Sequence, residues 1–496
     1  MSLADLTLDP TVALQAEFRV DGTPLRWIEP PVALFLAPEL VAVLERLGTI
    51  VQEALQAVAT AAAVRAQIFP RERASALIQS LIEKHLAGHS ETWRWIEATR
   101  DADGRVKLTA KPEGFEGFVA TNRVTIRLRF SKGERKASVE IPLSSASALA
   151  VIMDVLRGDY PPGLDLALAD RDVRGVIAAL EKIGGLIPKA DAGPLFVPEA
   201  HDATVLTSTH MGHAFLIVDG GSRRVLFDPV LHEWRDAFEQ QPLSARQLGP
   251  VDAIFFTHHH TDVMDLASLL LLPHRVPVFV PAGSDQPLTP HCADYLRMLG
   301  FTDVREMATG EVAPVGVMQV HALPFTGEGR EVLGFGANVF IAELGPQSVL
   351  VYSDASPNNA GHSIVSTGEL ARWVAAKGPI RAIYGTWWQQ RAFLCALSPL
   401  ALLKPDVTSE RWLADVECCD CPPDFLINLV KTTRARRFIT YGEGNDEDFL
   451  PPTLASGQTR ADSLFWKSRS DVCLEITRHT AAETMVARPY QQIRLE

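Results

Sequence analysis

The sequence lacks an uninterrupted apolar run long enough to cross a bilayer. The longest candidates, residues 31–44 and 266–280, are broken by Pro, Glu, His or Arg, whereas a spanning helix needs about 20 consecutive apolar residues. It also lacks a basic segment leading into an apolar one around Met1, Ser2, Leu3, Ala4 and Asp5, so no secretory leader is read there and a cytoplasmic location is expected. Positive charge is scarce: 47 Lys and Arg stand against 60 Asp and Glu, a formal net charge of −13 at pH 7. Nucleic acid is therefore excluded as a partner, because phosphate binding needs a basic face. Cysteine is scarce too. Six in 496 residues rule out a disulfide framework as the source of stability. Three of the six stand together in Cys418-Cys419-Asp420-Cys421, ahead of Pro422 and Pro423. A zinc knuckle would want a fourth ligand at regular spacing, which is not found nearby, so these are read as reduced thiols before a turn.

What remains is the composition of a globular chain, 47% hydrophobic and 22% charged over 496 residues, too long for one ordinary core. The fold class expected is α/β, with an α+β domain over 1–195 ahead of a larger domain over 200–496. Residues 37–88 carry two stretches of helical apolar spacing, 38–69 and 71–86, separated by Pro70. Residues 121–130 and 136–141 alternate apolar and polar around Ser131, Lys132, Gly133 and Glu134, which spells a hairpin. Two amphipathic helices follow, over 144–156 and 170–183, the second closing on Gly184 and Gly185. A hairpin followed by two short helices makes residues 121–188 or so winged-helix-like. Residues 190–194 read as a linker. Beyond them strands are expected at 203–207, 214–218, 224–227, 253–257 and 276–280, then at 317–322, 337–344, 348–352, 380–384 and 438–441. Helices are expected between them, at 244–248, 264–270, 291–299 and 370–375. Two runs of strands interleaved with helices imply two packed sheets with helices outside.

The most informative stretch runs from Phe256 through Thr257, His258, His259, His260, Thr261, Asp262, Val263 and Met264 to Asp265. It follows an apolar strand and precedes a helix, so the polar cluster falls at a strand's carboxyl end, where α/β folds build sites. His258 and His260 are two apart, and in extended geometry both imidazoles point the same way. Asp262 continues the alternation. Two nitrogens and a carboxylate can hold a metal and a bound water. The bland alternative is a surface loop rich in histidine, and the order of further features along the chain weighs against it.

Those features carry resemblances. The spacing His258-x-His260-x-Asp262 resembles the signature of the metallo-β-lactamase superfamily, and the runs Thr209–Val218, Arg224–Pro229 and Val349–Asp354 look like its other strand ends. The resemblance covers residues 203–441 and implies an αββα sandwich. Two departures stand out. Val263 occupies the place where the superfamily has a second-metal histidine, and neither His362 nor His479, the histidines past Asp354, stands just beyond residues 380–385, where the superfamily has a late one. A third departure is the run Leu323-Pro324-Phe325-Thr326-Gly327-Glu328. With Tyr384-Gly385 and Ser398-Pro399-Leu400, it resembles the diiron β-hydroxylase of chloramphenicol biosynthesis and its relatives, which also carry a large N-terminal domain. That resemblance implies Glu328 as a ligand and Asp354 as a bridging or terminal one. Residues 139–187, through Leu149, Ile152, Leu156, Val176, Leu180 and Ile183, resemble the peptide-binding fold of the pyrroloquinoline-quinone chaperone, which implies docking to a peptide or carrier.

The site expected from all this takes metal on His258, His260, Asp262, Glu328 and Asp354, with Asp262 also acting in catalysis. His213, His259 and His321 are the supporting or alternative ligands, and Trp387 and Trp388 are candidates for the substrate pocket. His258, His260 and Glu328 form a 2-His-1-carboxylate set, which suits Fe(II) and dioxygen, with one or two irons, or zinc as the alternative. The function expected is an iron oxygenase or related oxidoreductase of specialised metabolism. Its substrate would be amino-acid-like, a small molecule or one tethered to a carrier or peptide, and an electron donor would serve it. A homodimer stays open. The alternatives are a metal-dependent hydrolase of an ester, lactone, amide or phosphodiester, and a degenerate member that only binds.

Overall fold

The computed structural model describes residues 5–20, 22–24, 96–100, 106–110, 124–143, 146–159, 170–191, 203–232, 243–260, 263–283, 292–327, 336–358, 361–387, 389–390, 419–441 and 469–495. The helical stretch expected over 37–88 lies outside the described residues, as do Asp262, Glu328 and Trp388.

Among the described residues, two seven-stranded sheets pack face to face. In the first, the order is Val304–Met307, Val278–Pro281, Ala253–Phe255, Arg223–Phe227, Phe215–Gly220, Thr207–Gly212 and Gln491–Arg494. In the second it is Val312–Val315, Met318–Pro324, Asn338–Leu344, Gln347–Tyr352, Ala382–Gly385, Arg437–Thr440 and Glu483–Val486. Each sheet is mixed, with parallel pairing from Arg223–Phe227 out to Val304–Met307 and from Gln347–Tyr352 out to Glu483–Val486. Most of these parallel strands are buried on both faces, which is why segments such as Ala253–Phe255 and Val278–Pro281 read as unbroken apolar runs.

A core of Phe rings and aliphatics fills the space between the sheets. Phe255 stacks on Phe279 with centroids 4.5 Å apart, and Phe340 of the second sheet meets Phe255 edge-on at 5.4 Å. Fully burying each such ring is worth about 1.5–3 kcal/mol, so this layer holds the two sheets in register. Helices Glu369–Lys377, Pro423–Thr433 and Arg469–His479 lie over the outer face of the second sheet, around Tyr352, Trp387 and Phe425. The first sheet is covered by Leu266–Leu269, Cys292–Met298 and the N-terminal part of the chain. The layers are those of the αββα sandwich.

The N-terminal part is α+β. Its four-stranded antiparallel sheet has the order Thr23–Pro24, Ala13–Val20, Val124–Lys132 and Arg135–Pro142. The hairpin is the one the alternation spells, with Lys132 opposite Arg135. Ala146–Arg157 and Arg171–Ile183 are the two helices. The second is delimited by its sequence: Asp170 accepts from the amides of Asp172 and Val173, and Gly184 ends it at φ 65°. The inward residues Leu14, Phe18, Ile126, Leu128 and Phe130 join one continuous apolar cluster that runs into Met211, Phe215, Ile217 and Leu226 of the first sheet. Polar links cross the same boundary. The Leu14 amide donates to His232 Nδ1 at 2.9 Å, and Arg275 pairs with Asp154 at 2.7 Å.

Two sequence expectations are corrected. The strand expected at 203–207 is Thr207–Gly212 instead, because the turn at His213 and Ala214 sets its register, pairing Thr207 with Asp219. The helix expected at 244–248 is a single 3₁₀ turn, Ala245–Leu248. Among the described residues, no helix is long and apolar enough to cross a membrane.

Candidate metal centre

The carboxyl ends of parallel strands from both sheets meet at one end of the sandwich, which is where the His-rich loop emerges after Ala253–Phe255. Asp228, just past Arg223–Phe227, reaches across to that loop. The Thr257 amide donates to its Oδ1 at 2.7 Å, and the Thr257 hydroxyl donates to its Oδ2 at 2.7 Å. A hydroxyl has one proton. Since Thr257 spends it on Asp228, the 2.9 Å contact between Thr257 Oγ1 and His258 Nδ1 requires Nδ1 to be the donor. The relay therefore fixes the tautomer of His258 with Nε2 unprotonated, the form in which an imidazole binds metal.

That nitrogen stands near an oxygen. His258 Nε2 lies 3.7 Å from Asp354 Oδ2, with the two side chains 0% and 12% exposed. Two donors on one ion, with bonds of roughly 2.0–2.2 Å, sit at most about 4.2 Å apart, so a divalent cation fits between them. A nitrogen and a hard carboxylate oxygen also suit a first-row transition metal. Burial deepens the need for positive charge, because an ionised carboxylate out of water is costly without it. The residues present fit a metal.

Asp354 is held as firmly as His258. It follows Gln347–Tyr352, and its amide donates to Thr386 Oγ1 at 2.6 Å, while that hydroxyl lies 3.4 Å from Asp354 Oδ1. Thr386 stands just beyond Ala382–Gly385, where the late histidine was missed in the sequence, and its hydroxyl serves Asp354. Asp354 has φ 54°, Asp228 46° and His213 48°. Non-glycine residues in that region cost of order 1–3 kcal/mol each and gather at functional sites. Beneath the pair sits Tyr441, past Arg437–Thr440, its hydroxyl held neutral by burial first and by the charge of Asp228 second. From the second sheet, the end of Met318–Pro324 also arrives here. Phe325 lies 5.8 Å from the His258 ring, and Thr326 bonds Ser356, two residues past Asp354: its carbonyl accepts from the Ser356 amide at 2.9 Å and its hydroxyl donates to the Ser356 carbonyl at 2.8 Å. Gly327 packs so closely on Ser356 that a Cβ there would fall 2.1 Å from its hydroxyl, which explains the glycine before Glu328.

The other sequence candidates are placed as follows. His260 is half-buried with its ring edge-on to His258, centroids 4.5 Å apart, on the same side as the i, i+2 spacing implies. Its carbonyl accepts from the amides of Val263 and Met264 and so turns the chain into the next helix. His259 is buried against His260, its pKa lowered to about 3 by burial first and by His260 second. His213 sits buried in the turn at the same end of the first sheet, its carbonyl accepting from His210 Nε2 at 2.8 Å. Among the described residues, no three His, Cys, Asp or Glu side chains close around one point; Asp262 and Glu328 lie outside them.

Three candidates turn out to be built into packing. His321 gives Nε2 to Glu343 at 2.8 Å, itself paired with Lys377 at 3.0 Å, and its ring meets Trp373. It faces the outer helix Glu369–Lys377 and is not offered to His258 as a third ligand. Trp387 is 1% exposed in the outer apolar core with Tyr352 and Phe425, so its ring packs that core. Val263 is fully buried in the apolar cluster under the first sheet, where its isopropyl group packs the core. Sequence reasoning gave no role to Thr257, Asp228, Thr386 or Tyr441. A Thr directly before the first His, and an Asp ending the preceding parallel strand, were the available signals.

Comparison with known proteins bears on the fold that holds this centre. Residues 223–341 match the model of the beta-lactamase superfamily domain. The 4-amino-L-phenylalanyl-[CmlP-peptidyl-carrier-protein] 3-hydroxylase of Streptomyces venezuelae is 32% identical over 151 residues. That match spans 30% of this chain and 28% of the hydroxylase. The crystal structure of CmlA, a diiron beta-hydroxylase from Streptomyces venezuelae, superposes with a TM-score of 0.61 at 18% identity, covering 99% of each chain. Residues 223–341 are thus similar to the beta-lactamase superfamily domain, and the described residues, those of the N-terminal part included, share the fold of CmlA.

Proposed function

We propose that this chain is an iron-dependent oxygenase of specialised metabolism that hydroxylates an amino-acid-like substrate presented on a carrier. The observation that carries the reading is the unprotonated Nε2 of His258 standing 3.7 Å from the Asp354 carboxylate, a pair built to share a cation. The similarity over 151 residues to a hydroxylase of a carrier-bound amino acid supports the reaction class, and the superposition with CmlA supports a frame able to house it.

His258, His260 and Asp354 would hold the metal together with Glu328, and Asp262 would orient a water or proton beside it. Iron, when bound, supplies the reduction of dioxygen, which no side chain here performs. The protein's own part is orientation and shielding. Asp228 and Thr257 hold His258 in the binding tautomer, and Thr386 fixes the Asp354 backbone. Phe325 covers the His258 ring and keeps water off it, and Tyr441 stays protonated below, adding no further negative charge. An external electron donor completes the stoichiometry.

Anaerobic loading of the metal-free chain with Fe(II), followed by iron counting and oxygen uptake, tests the proposal. Iron should bind, His258→Ala and Asp354→Asn should lose it, and oxygen uptake should depend on reductant and a carrier-bound amino acid. Iron held without oxygen uptake, together with cleavage of an ester or phosphodiester, would overturn it in favour of a hydrolase. Glu328→Gln should lower iron content; unchanged content removes Glu328 from the ligand set.

A further inference from the structure

A buried chain of hydrogen bonds, outside the site described so far, ties the histidines of the centre to the N-terminal sheet. The His260 carbonyl holds the amide of Met264, and Asp265 follows at once. Asp265 caps Leu266–Leu269, accepting from the amides of Ala267 at 3.2 Å and Ser268 at 3.0 Å, and it also takes the proton of the Ser268 hydroxyl. With that proton spent, Ser268 Oγ can only accept. It does so from the Leu231 amide at 2.7 Å and the His232 amide at 3.2 Å. His232 Nδ1 in turn accepts from the amide of Leu14, on the strand Ala13–Val20, at 2.9 Å. Every residue of this chain of bonds from Asp265 to Leu14 is buried, so a broken link strands a polar group out of water. The same strand reaches Asp265 from a second side. Leu266–Leu269 lies against it. Tyr295 packs on its Phe18 with ring centroids 6.1 Å apart, and burial first, then the Asp265 charge, holds the Tyr295 hydroxyl protonated.

We infer that Ser268 and His232 are positioning residues of the metal centre, which lock the placement of His258 and His260 to the strand Ala13–Val20. The N-terminal sheet is then part of the frame of the centre and not only its neighbour. The inference rests on the metal-centre reading above. Asp228 pins the chain at Thr257, just before the first histidine, and Ser268 pins it at Asp265, just after the last. Histidines fixed from both ends are presented in one orientation, and pre-organisation of this kind raises metal affinity without adding a donor. Because coupling is reciprocal, metal bound at His258 and His260 must also steady the Leu14 end.

Chelator competition with Co(II) on the metal-free full-length chain, alongside denaturant unfolding of the same chain, tests this. Ser268→Ala and His232→Phe should each lower cobalt affinity about tenfold and alter the visible ligand-field bands. His232→Asn, whose Oδ1 can accept from the Leu14 amide in place of Nδ1, should restore both. Arg275→Ala breaks the pair with Asp154, another polar link across the same boundary. It should lower stability with cobalt affinity unchanged, which separates positioning from stability alone. Cobalt bound through His258 with the same affinity and spectrum in wild type, Ser268→Ala and His232→Phe overturns the inference and leaves the metal-centre reading standing. An equal fall in affinity in Arg275→Ala overturns it likewise. No cobalt bound at all, with His258→Ala indistinguishable from wild type, overturns both. Should a variant fail to fold, wild type decides. Zinc should slow amide exchange in residues 13–18 more than in residues 137–141, and equal protection of the two overturns the inference.

Discussion

Replacing Thr257 by Val tests the logic of the centre at its narrowest point. The two side chains have nearly the same shape, and the substitution removes only the hydroxyl that accepts from His258 Nδ1 and donates to Asp228 Oδ2 at 2.7 Å. Both partners are fully buried, and a buried polar group stripped of its hydrogen bond costs about 1–3 kcal/mol. The metal-free variant should therefore be less stable by an amount of that order. The larger signature is in metal binding. Loss of the group that orients a metal-binding histidine typically lowers affinity about 10–100-fold, equivalent to about 1.4–2.7 kcal/mol. The rise in melting temperature on adding Fe(II) or Co(II) at fixed concentration should shrink by a corresponding amount. Chelator competition reads the affinity, denaturant unfolding of the metal-free protein reads the stability, and Thr257→Ser, which keeps the hydroxyl, should restore both. Imidazole nitrogen NMR of the metal-free protein should show His258 protonated at Nδ1. Unchanged affinity in Thr257→Val, or a proton found on Nε2, would refute the relay and with it the case that His258 is presented to a metal.

Three further outcomes follow from residues placed away from the centre. His321→Ala should leave metal content unchanged and cost about 0.5–1.5 kcal/mol, since Glu343 loses one hydrogen bond but keeps Lys377; a fall in metal stoichiometry would return His321 to the ligands. Trp387→Ala should cost about 3–5 kcal/mol of stability, measured by denaturant unfolding, and full stability with weakened substrate binding would make it a pocket residue. His274, buried at the seam between the N-terminal part and the first sheet, has its pKa lowered to about 4 by burial, then by Arg275 and Arg157, with Asp159 opposing. The unfolded chain takes up this proton near pH 6.5 and the folded chain only near 4, so His274 removes stability as pH falls through that window. Asp154 beside it has a raised pKa, from burial first, and works in the opposite sense as it protonates. His274→Asn should flatten the loss between pH 6.5 and 4.5 in a melting series; an unaltered slope would assign it elsewhere.

The sandwich was legible because its buried parallel strands are continuous apolar segments, and because the metal loop compresses three imidazoles into three consecutive positions, His258 to His260. The Arg171–Ile183 helix was legible for the same kind of reason, since Asp170 and Gly184 mark both ends. Ala13–Val20 escaped notice. It pairs with Val124–Lys132 from far along the chain, and its alternation is blurred by Ala13 and Ala16, which weigh little in any apolar pattern. The roles of Thr257 and Thr386 escaped for a different reason. A threonine in sequence does not announce whether its hydroxyl serves solvent or a carboxylate, and only the approach of Asp228 and Asp354 decides it. His321 misled because a histidine close before Glu328 has the right spacing for a ligand. Its strand register instead sets it against Glu343 and Trp373.

The strand Gln491–Arg494 lies beside Thr207–Gly212 at the border of the sheet that presents His258, with Ile493 opposite Ser208 and the Tyr490 amide bound to the His210 carbonyl. During synthesis that sheet must wait, one strand short, until about 280 further residues have emerged (Gln491 pairs with His210). The exposed border of Thr207–Gly212 is in the meantime a template for another chain's strand. Closure over so long a loop is also slow. Expression yield should therefore respond to chaperones and growth temperature more than the finished protein's stability would suggest, and a tag fused directly after the last strand should be tolerated less well than one set off by a flexible spacer.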